Sequence, residues 1–468
     1  MRRAGILLPI FSLPGTMGIG DLGTSAYKWV DKLAETKASL WQILPLNPVG
    51  YGNSPYQTYS SFAGDEIYIS IEDLYKELNL EIDIEPIINK SVDYESVRAN
   101  KNKYLKAAYK HFIKDEDYQA FINKAFWLDN YVEFITLKKQ NKMQSWLEWK
   151  DTTPDKAAMD YERFVQYVFA KQWFKLKKYS NDKNIQIVGD LPIYLGHDSA
   201  EVYFSPQLFH LNKDGSPKLV AGVPPDYFSD EGQLWGNPLY DWVKVAGENY
   251  KLWIERLSYN NEMFDVIRLD HFRAFDTFWV IDAKEDSAKY GSWHLGPSYS
   301  FFNKMFEAIP DLNLVVEDLG DLRPEVLELR DAFNFMGMRI IQYSLKDHEI
   351  EENKTIDSNL IAYTGTHDNP PIQEVVDNMP LKRKLQLMFK LPKFSPNLSQ
   401  TINYYTLSLN TDWAFLPIQD LLGYSSEARI NAPGTIGSPN WEWKLEDFND
   451  VDKVMPIFKR MVKRSNRT

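Results

Sequence analysis

Eight short apolar runs, rich in residues that favour β-strands, recur along the chain and are separated by longer helical patterns. They lie at residues 4–10, 40–46, 185–194, 264–271, 312–320, 337–344, 360–367 and 413–420. Strands that alternate with helices form right-handed βαβ units and a parallel sheet, and eight such units fit a closed barrel. The chain is therefore predicted to form an α/β fold, a (β/α)8 TIM barrel with helical insertions, as one catalytic unit over residues 1–468.

The stretch between the second and third runs is too long to be a single crossover helix. Between residues 65 and 188 the chain has no glycine, although it has 23 glycines in all. Trp127, Tyr131 and Phe134 follow helical spacing, which places the three rings on one face and predicts that they form a core rather than a ligand site. We therefore predict a helical insertion subdomain at residues 70–180.

The segment between the third and fourth runs is rich in glycine, proline and aromatic residues. It includes "AGVPPDYFSDEGQLWGNPLY" at residues 221–240, which is too irregular for a helix. Long loops of this kind in compact domains are usually binding loops or lids. We predict an active-site lid loop over residues 196–241, with a packed surface loop as the alternative.

Composition excludes several classes of function. The formal charge of −12 argues against nucleic acid and an anionic membrane as partners. No window has the roughly 18 apolar residues of a membrane span. The chain has no cysteine, so thiol catalysis and disulfides are excluded. Pro9 and Pro14 break the apolar N-terminal run, which argues against a signal peptide, and we expect a cytoplasmic protein.

Charged residues stand where a plain apolar strand end is expected, in the segment "VIRLDHFRAF" at residues 266–275. Residues two apart on a strand share a face, so Arg268 and Asp270 are expected to point the same way. A neighbouring guanidinium lowers the pKa of a carboxyl group, and Asp270 is therefore expected to stay ionised, as a nucleophile requires. For this segment alone, a structural ion pair is the simpler alternative.

Two further carboxyl groups follow later runs. Glu317 comes after "LNLVV", and burial beside other acids is expected to raise its pKa, as a general acid requires. Asp368 follows His367 in "YTGTHDN" and is suited to binding sugar hydroxyls and stabilising positive charge. Carboxyl groups with pKa values driven apart are typical of glycosidic bond chemistry. The 14 Trp, 27 Tyr and 26 Phe residues also suit carbohydrate, whose C–H faces stack on aromatic rings.

Other chemistries fit the sequence less well. It contains no phosphate-binding G-x-x-x-x-G-K-[ST] loop, no G-x-S-x-G nucleophile elbow and no H-E-x-x-H among its seven histidines. A metal site built from carboxylates is disfavoured, because Arg268 beside Asp270 would compete with a cation. We expect no metal and no cofactor.

Taken in order, the motifs resemble those of the 4-α-glucanotransferases of the amylomaltase or disproportionating-enzyme type, which are related to the α-amylases. The matching segments are "SLPGTMGIGDLG", "YGNSPYQTYSSFAG", "GDLPIY", "GVPPDYFS", "GQLWGNPLY", "RLDHFR", "VEDLG", "YTGTHDN" and "QDLLGYSSEARINAPGT". The resemblance covers nearly the whole chain apart from the predicted insertion. It implies transfer of α-1,4-glucan segments to the 4-hydroxyl of glucose or another glucan, through a glucosyl-enzyme intermediate. The implied substrates are maltotriose and longer α-1,4-glucans, such as maltodextrin, glycogen and starch.

The resemblance also implies a role for each matching residue. Asp270 would be the nucleophile, Glu317 the general acid and base, and Asp368 the residue that stabilises the transition state. The residues implied for substrate binding are Tyr56, Asp190, Tyr227, Phe228, Gln233, Trp235, Arg268 and His367. The chain departs from the family pattern after "THDN", where Pro370 and Pro371 stand, and this departure is expected to affect the acceptor site.

Two alternative functions use the same features. A hydrolase of the α-amylase kind would have the same carboxyl groups, because the motifs do not determine whether water or a sugar resolves the intermediate. A silent glucan-binding protein would have no need of both Asp270 and Glu317. The sequence does not determine the preferred glucan length, any cyclisation or the oligomeric state.

Overall fold

The computed structural model describes residues 2–225 and 230–468, and strands and helices alternate along most of this length. In chain order the strands are β1 (Arg3–Leu7), β2 (Leu40–Gln42), β3 (Gln186–Leu191), β4 (Leu219–Val223), β5 (Gln233–Pro238), β6 (Val266–Leu269), β7 (Thr277–Asp282), β8 (Ser292–Leu295), β9 (Leu314–Val316), β10 (Gly337–Ile340), β11 (Leu360–Tyr363) and β12 (Trp413–Pro417).

The helices are α1 (Thr24–Glu35), α2 (Ile71–Glu77), α3 (Tyr94–Tyr109), α4 (Glu116–Lys124), α5 (Leu128–Gln140), α6 (Lys156–Asp182), α7 (Ala200–Phe204), α8 (Trp242–Gly247), α9 (Lys251–Met263), α10 (Ser298–Ala308), α11 (Pro324–Ala332), α12 (Asp347–Glu352), α13 (Ile372–Asp377), α14 (Leu381–Lys390), α15 (Leu398–Ser408), α16 (Ile418–Leu422) and α17 (Asn449–Arg464). None of the helices within the described ranges is both long enough and apolar enough to cross a bilayer.

Eight strands of the described chain form one parallel sheet, in the order β10-β11-β12-β1-β2-β3-β6-β9. A parallel bridge between Val315 and Met336 brings β9 to the edge of β10, so that the sheet nearly closes into a barrel. Each strand lies within one of the eight apolar runs or overlaps it. The predicted (β/α)8 barrel is confirmed.

Apolar side chains fill the inside of the barrel. Gly5 of β1 makes room for the ring of Phe415, because a Cβ atom at this position would lie 2.3 Å from a ring carbon. The buried interior residues are Leu40, Val188, Val266, Val315, Met338, Ile340, Ile361, Tyr363, Trp413 and Phe415. Since this interior is packed, a ligand can be bound only at the ends of the strands and in the loops that follow them.

A second, antiparallel sheet lies outside the barrel, with the strand order β5-β4-β7-β8. Its strands β4 and β5 fall in residues 221–240, or next to them, where the sequence was interpreted as irregular. That interpretation was wrong for these strands. Strand β4 pairs with β5 on one side and with β7, which is distant in sequence, on the other, and local patterns of glycine and proline do not reveal such a partner.

Helices α2 to α6 occupy most of the segment between β2 and β3. Trp127, Tyr131 and Phe134 are buried there, as expected of core residues. The Lys139 ammonium lies 2.7 Å from a carboxylate oxygen of Glu162 and so connects α5 to α6. The turn at the end of α5 also reaches the functional cleft described below.

Candidate active site

The predicted site residues gather at the carboxyl-terminal ends of the barrel strands. Asp190 and Arg268 lie near the ends of β3 and β6, and Asp270 and Glu317 immediately follow β6 and β9. His367 lies in the loop that follows β11. The ends of parallel barrel strands share one face, so residues that are distant in sequence meet there.

The guanidinium of Arg268 lies among three carboxyl groups. Its Nη1 atom donates to both oxygens of Asp190, at 2.7 and 2.8 Å, and to Oδ1 of Asp270 at 3.2 Å. Its Nη2 atom is 3.3 Å from Oε2 of Glu317. Although burial opposes it, the charge of these carboxylates raises the pKa of Arg268 above its ordinary value. Arg268 is therefore a fixed positive charge that holds the acidic residues together.

The pKa values of Asp270 and Glu317 differ from the sequence-based expectation. Burial, and then the charge of Glu317, raises the pKa of Asp270 well above its ordinary value. Burial also acts to raise the pKa of Glu317, but the Arg268 charge, a hydrogen bond with Asp270 and the N–H of His271 outweigh it and lower that pKa. The expected direction was wrong for both acids, because Arg268 contacts both whereas the backbone N–H reaches Glu317 alone. Within the pair, Asp270 therefore binds a proton more tightly than Glu317 does.

The backbone of His271 has an uncommon conformation beside these acids. Its N–H donates to Oε2 of Glu317 at 2.7 Å. Its φ angle of 48° lies in the left-handed region, which few residues other than glycine adopt. Burial lowers the pKa of its imidazole to about 4, so the ring is uncharged at neutral pH.

Asp368 is held by residues from a distant loop. Nδ2 of Asn431 donates to its Oδ1 at 2.6 Å, and Nη2 of Arg429 donates to its backbone oxygen at 3.1 Å. Nε2 of His367 is 3.4 Å from the same Oδ1. The sequence analysis did not identify Asn431 or Arg429 as site residues. The signal that could have found them is their position among the polar residues of the matching segment "QDLLGYSSEARINAPGT".

Three rings form one wall of the site. The hydroxyl of Tyr56 donates to Oδ2 of Asp190 at 2.8 Å, and its ring stacks on His367 with 5.3 Å between the centroids. The Trp441 ring lies 5.8 Å from Tyr56 and 5.9 Å from His367. Trp441 was not among the predicted residues either; it follows the segment "QDLLGYSSEARINAPGT" along the chain. The stacking fixes the orientation of the His367 imidazole.

Two of the four predicted lid residues, Gln233 and Trp235, lie on β5 and form another wall of the site. The Trp235 ring meets His271 edge-on with 4.9 Å between the centroids, and its Nε1 donates to Oε1 of Gln233 at 3.2 Å. Gln57 donates to the backbone oxygen of Trp235 at 3.1 Å. The other two residues, Tyr227 and Phe228, lie outside the described residues.

The two prolines after the "THDN" motif lead directly into α13, and Pro371 caps that helix. The carboxylate of Asp420 accepts a hydrogen bond from the N–H of Ile372 at 2.7 Å and another from the Thr364 hydroxyl. Burial raises the pKa of Asp420 to about 6, although these two hydrogen bonds oppose the rise. Asp420 thus connects the loop that carries Asp368 to α16, the helix that follows β12.

A cleft of about 880 Å³ opens above these residues. Of the predicted residues, those that line it are Tyr56, Gln233, Trp235, Asp270, Glu317, His367 and Asp368. Arg268 and Asp190 lie beneath, with side chains 2 % and 0 % exposed. Within residues 2–225 and 230–468, no group of three or more histidine, aspartate or glutamate side chains is arranged to hold a metal ion. The arrangement provides two carboxyl groups that can exchange a proton, above a fixed positive charge, in a cleft that can accommodate several sugar rings.

Comparisons with known proteins agree with this chemistry. A family model described as 4-alpha-glucanotransferase matches residues 8–450. The chain is 37 % identical to a 4-alpha-glucanotransferase of Streptococcus pneumoniae, over 95 % of the chain and 94 % of that protein. It is also 37 % identical to the 4-alpha-glucanotransferase of Aquifex aeolicus, over 99 % of the chain and 100 % of that protein.

A solved structure has the same architecture. The amylomaltase from Streptococcus agalactiae, determined in complex with acarbose, superposes with a TM-score of 0.94 over 100 % of both chains, at 33 % sequence identity.

Proposed function

The chain belongs to the 4-α-glucanotransferase family and has that family's glycosyl-transferring activity. We propose that it acts by a retaining double displacement in which Asp270 is the nucleophile. The observation that supports this proposal is the contact of one guanidinium, that of Arg268, with both Asp270 and Glu317 at the cleft floor. An α-1,4-glucan hydrolase, the alternative from the sequence, is not favoured by the comparisons.

The first step forms a covalent sugar. A carboxylate oxygen of Asp270 attacks the anomeric carbon of the donor glucan, while Glu317 protonates the departing glycosidic oxygen. This step needs the proton on Glu317 and Asp270 ionised, and the hydrogen bond between the two carboxyl groups gives a proton on Asp270 a direct path to Glu317. We infer that the bound donor drives this transfer, because it displaces water and brings its glycosidic oxygen to Glu317.

The second step releases the sugar to an acceptor. Glu317, now a carboxylate, removes the proton from the 4-hydroxyl of an acceptor glucan, and that oxygen attacks the anomeric carbon. Each step inverts the configuration, so the α-linkage is retained overall. The two steps need only the carboxyl groups and the two sugars.

The remaining residues hold the donor sugar. Asp368, fixed by Asn431, is placed to accept hydrogen bonds from sugar hydroxyls and to stabilise the positive charge that develops at the anomeric carbon. His367, stacked on Tyr56, offers a ring nitrogen to the same sugar. Arg268 and Asp190 bind the site together from below and limit the movement of Asp270.

The proposed substrates are α-1,4-glucans from maltotriose upward, as both donors and acceptors, with glucose as a further acceptor. Three features support this choice: the size of the cleft, its aromatic walls and the acarbose in the related Streptococcus agalactiae amylomaltase.

Incubation with pure maltotriose, followed by chromatography of the products, tests the proposal. Transfer produces glucose together with oligosaccharides longer than maltotriose. Accumulation of shorter sugars alone would show that water resolves the intermediate and that the enzyme is a hydrolase.

A further inference from the structure

The turn at the end of α5 brings part of the helical segment to the cleft. Met143 lines the cleft and is 42 % exposed. The φ angles of Lys142 and Met143 are 56° and 61°, in the left-handed region that favours glycine at a helix end. The chain therefore keeps a side chain in the cleft at a position where glycine would be less strained.

The ammonium group of Lys138 holds this turn in place. Its Nζ atom donates to the backbone oxygens of Met143 and Gln144, at 3.2 and 3.1 Å. It also forms an ion pair with Asp198 and lies 4.7 Å from the centroid of the Tyr59 ring. The Lys138 side chain is fully buried, so these contacts are shielded from solvent and fix the position of the turn.

Asp198, from the loop that follows β3, faces the same part of the cleft. Its side chain is 31 % exposed although one of its oxygens is paired with Lys138. From the residues that the structure describes, its other oxygen receives a single long contact, 3.4 Å, from the N–H of Trp146. A carboxylate oxygen that is open to the cleft can accept hydrogen bonds from sugar hydroxyls. The Trp146 indole also donates to the backbone oxygen of His197 at 2.9 Å, which fastens the turn of α5 to the Asp198 loop.

We propose that Met143 and Asp198 form a subsite for a glucose residue remote from the reacting bond, an inference that rests on the proposed function. Asp198 accepts hydrogen bonds from hydroxyl groups of that glucose, and the Met143 thioether packs against the apolar C–H face of its ring. The subsite is built jointly by the helical segment and the barrel loop.

The residues of this subsite have partners other than the carboxyl groups of Asp270 and Glu317. In the described part of the chain, Asp198 is hydrogen-bonded to Lys138 and Trp146 rather than to the catalytic acids. The subsite therefore contributes to binding only when the glucan is long enough to reach it.

Replacing Met143 with glycine separates binding from folding. Met143→Gly removes the cleft side chain and also relieves the left-handed backbone, so its thermal unfolding midpoint should equal or exceed that of the native protein. The ratio of kcat/KM for maltoheptaose to kcat/KM for maltotriose should fall roughly 10-fold, because one buried apolar contact is lost. Lys142→Gly is the matched control. It relieves the left-handed backbone at Lys142, whose side chain does not line the cleft, and should leave the ratio of the two kcat/KM values unchanged.

A second variant tests the carboxylate by direct binding. The parent protein for this measurement carries Glu317→Gln, which prevents turnover. When Asp198→Asn is added to it, calorimetry should show that maltoheptaose binds roughly 10-fold more weakly than to the parent, with a smaller change for maltotriose. The subsite would be overturned if Asp198→Asn weakened the binding of both sugars equally. It would also be overturned if neither Asp198→Asn nor Met143→Gly had an effect on maltoheptaose. Failure of the native enzyme to elongate maltotriose would refute the proposed function instead, and the binding measurement does not depend on that result.

Discussion

Arg268 and Asp190 form a buried ion pair across two neighbouring barrel strands, with Nη1 of Arg268 2.7 and 2.8 Å from the two oxygens of Asp190. The two residues are direct partners in the register of β3 and β6. Their side chains are 2 % and 0 % exposed, so the pair is shielded from solvent and salt. Asp190 thus acts from below the cleft, by holding the guanidinium that contacts the carboxyl groups of both Asp270 and Glu317.

Loss of this ion pair should destabilise the protein. Asp190→Ala is expected to lower the free energy of unfolding by about 3 kcal/mol, because the substitution leaves a buried charge with fewer partners and the Tyr56 hydroxyl without its acceptor. Urea unfolding measures the change. Asp182→Ala removes a solvent-exposed ion pair with Lys178 and should have little effect. Similar effects of the two substitutions would contradict the role given to the buried pair.

The two acids should differ in their response to an activated donor. With maltotriose, Glu317→Gln should lower kcat by roughly 10²- to 10⁴-fold, because the leaving sugar departs without a proton. With α-maltosyl fluoride, whose leaving group needs no proton, the same variant should accumulate a covalent maltosyl group on Asp270. Intact-protein and peptide mass spectrometry detect the added mass. Asp270→Asn serves as the control and should remain unlabelled; label on that variant or on another carboxylate would overturn the assignment.

The pKa values of the pair predict the pH dependence of the reaction. One proton is needed for catalysis, so kcat/KM for maltotriose should be bell-shaped in pH. The acid limb should lie below the ordinary glutamate pKa, because the pKa of Glu317 is lowered. The alkaline limb should lie well above the ordinary aspartate pKa, because the pKa of Asp270 is raised and the pair keeps its proton until that pH.

The fluoride donor isolates the alkaline limb. Labelling of Glu317→Gln needs only an ionised Asp270, so its rate should rise with pH and then stay constant. A fall at alkaline pH in this variant would assign that limb to another group.

The hydrogen bond from Asn431 should matter for the rate. Asn431→Ala removes the 2.6 Å contact that orients Asp368, and kcat on maltotriose should fall roughly 10-fold, with a smaller change in KM. Steady-state kinetics separate the two constants. Asn449→Ala, at an exposed asparagine that bonds to Asp447, is the matched control. An increase in KM alone would mean that Asn431 supports ground-state binding and not the transition state.

Asp420 should make stability depend on pH. Its pKa in the folded protein is about 6, raised from 3.8, so its ionised form is disfavoured by folding. The contribution of protonated Asp420 to the free energy of unfolding is fully present below about pH 4. It is lost as pH rises through 6, and the total loss is about 3 kcal/mol. About 1 kcal/mol of this is already lost at pH 4.5, so urea unfolding at pH 4.5 and 7.5 should show that the native protein loses about 2 kcal/mol relative to Asp420→Asn. A difference between the two proteins that is the same at both pH values would contradict the prediction.

Much of the fold could be predicted because the barrel repeats one local pattern. Each apolar run between helical segments indicates a buried parallel strand, and the polar residues that end the runs indicate the functional face. The antiparallel strands β4 and β5 could not be predicted in this way, since they form one sheet through the pairing of β4 with β7, from another part of the chain. The same limit applies to Asn431 and Trp441, which reach the site only through the folding of a distant loop.

The sequence by itself determined the family and the barrel and indicated the candidate acids, because Asp270, Glu317 and Asp368 lie in motifs whose residue types can be recognised without coordinates. Only the tertiary structure decided how protons are distributed among these acids. The pKa of Asp270 is raised and that of Glu317 is lowered, which reverses the expectation from the sequence. The reason is physical: a pKa depends on burial and on which charges and N–H groups lie within a few ångströms, and folding sets those distances.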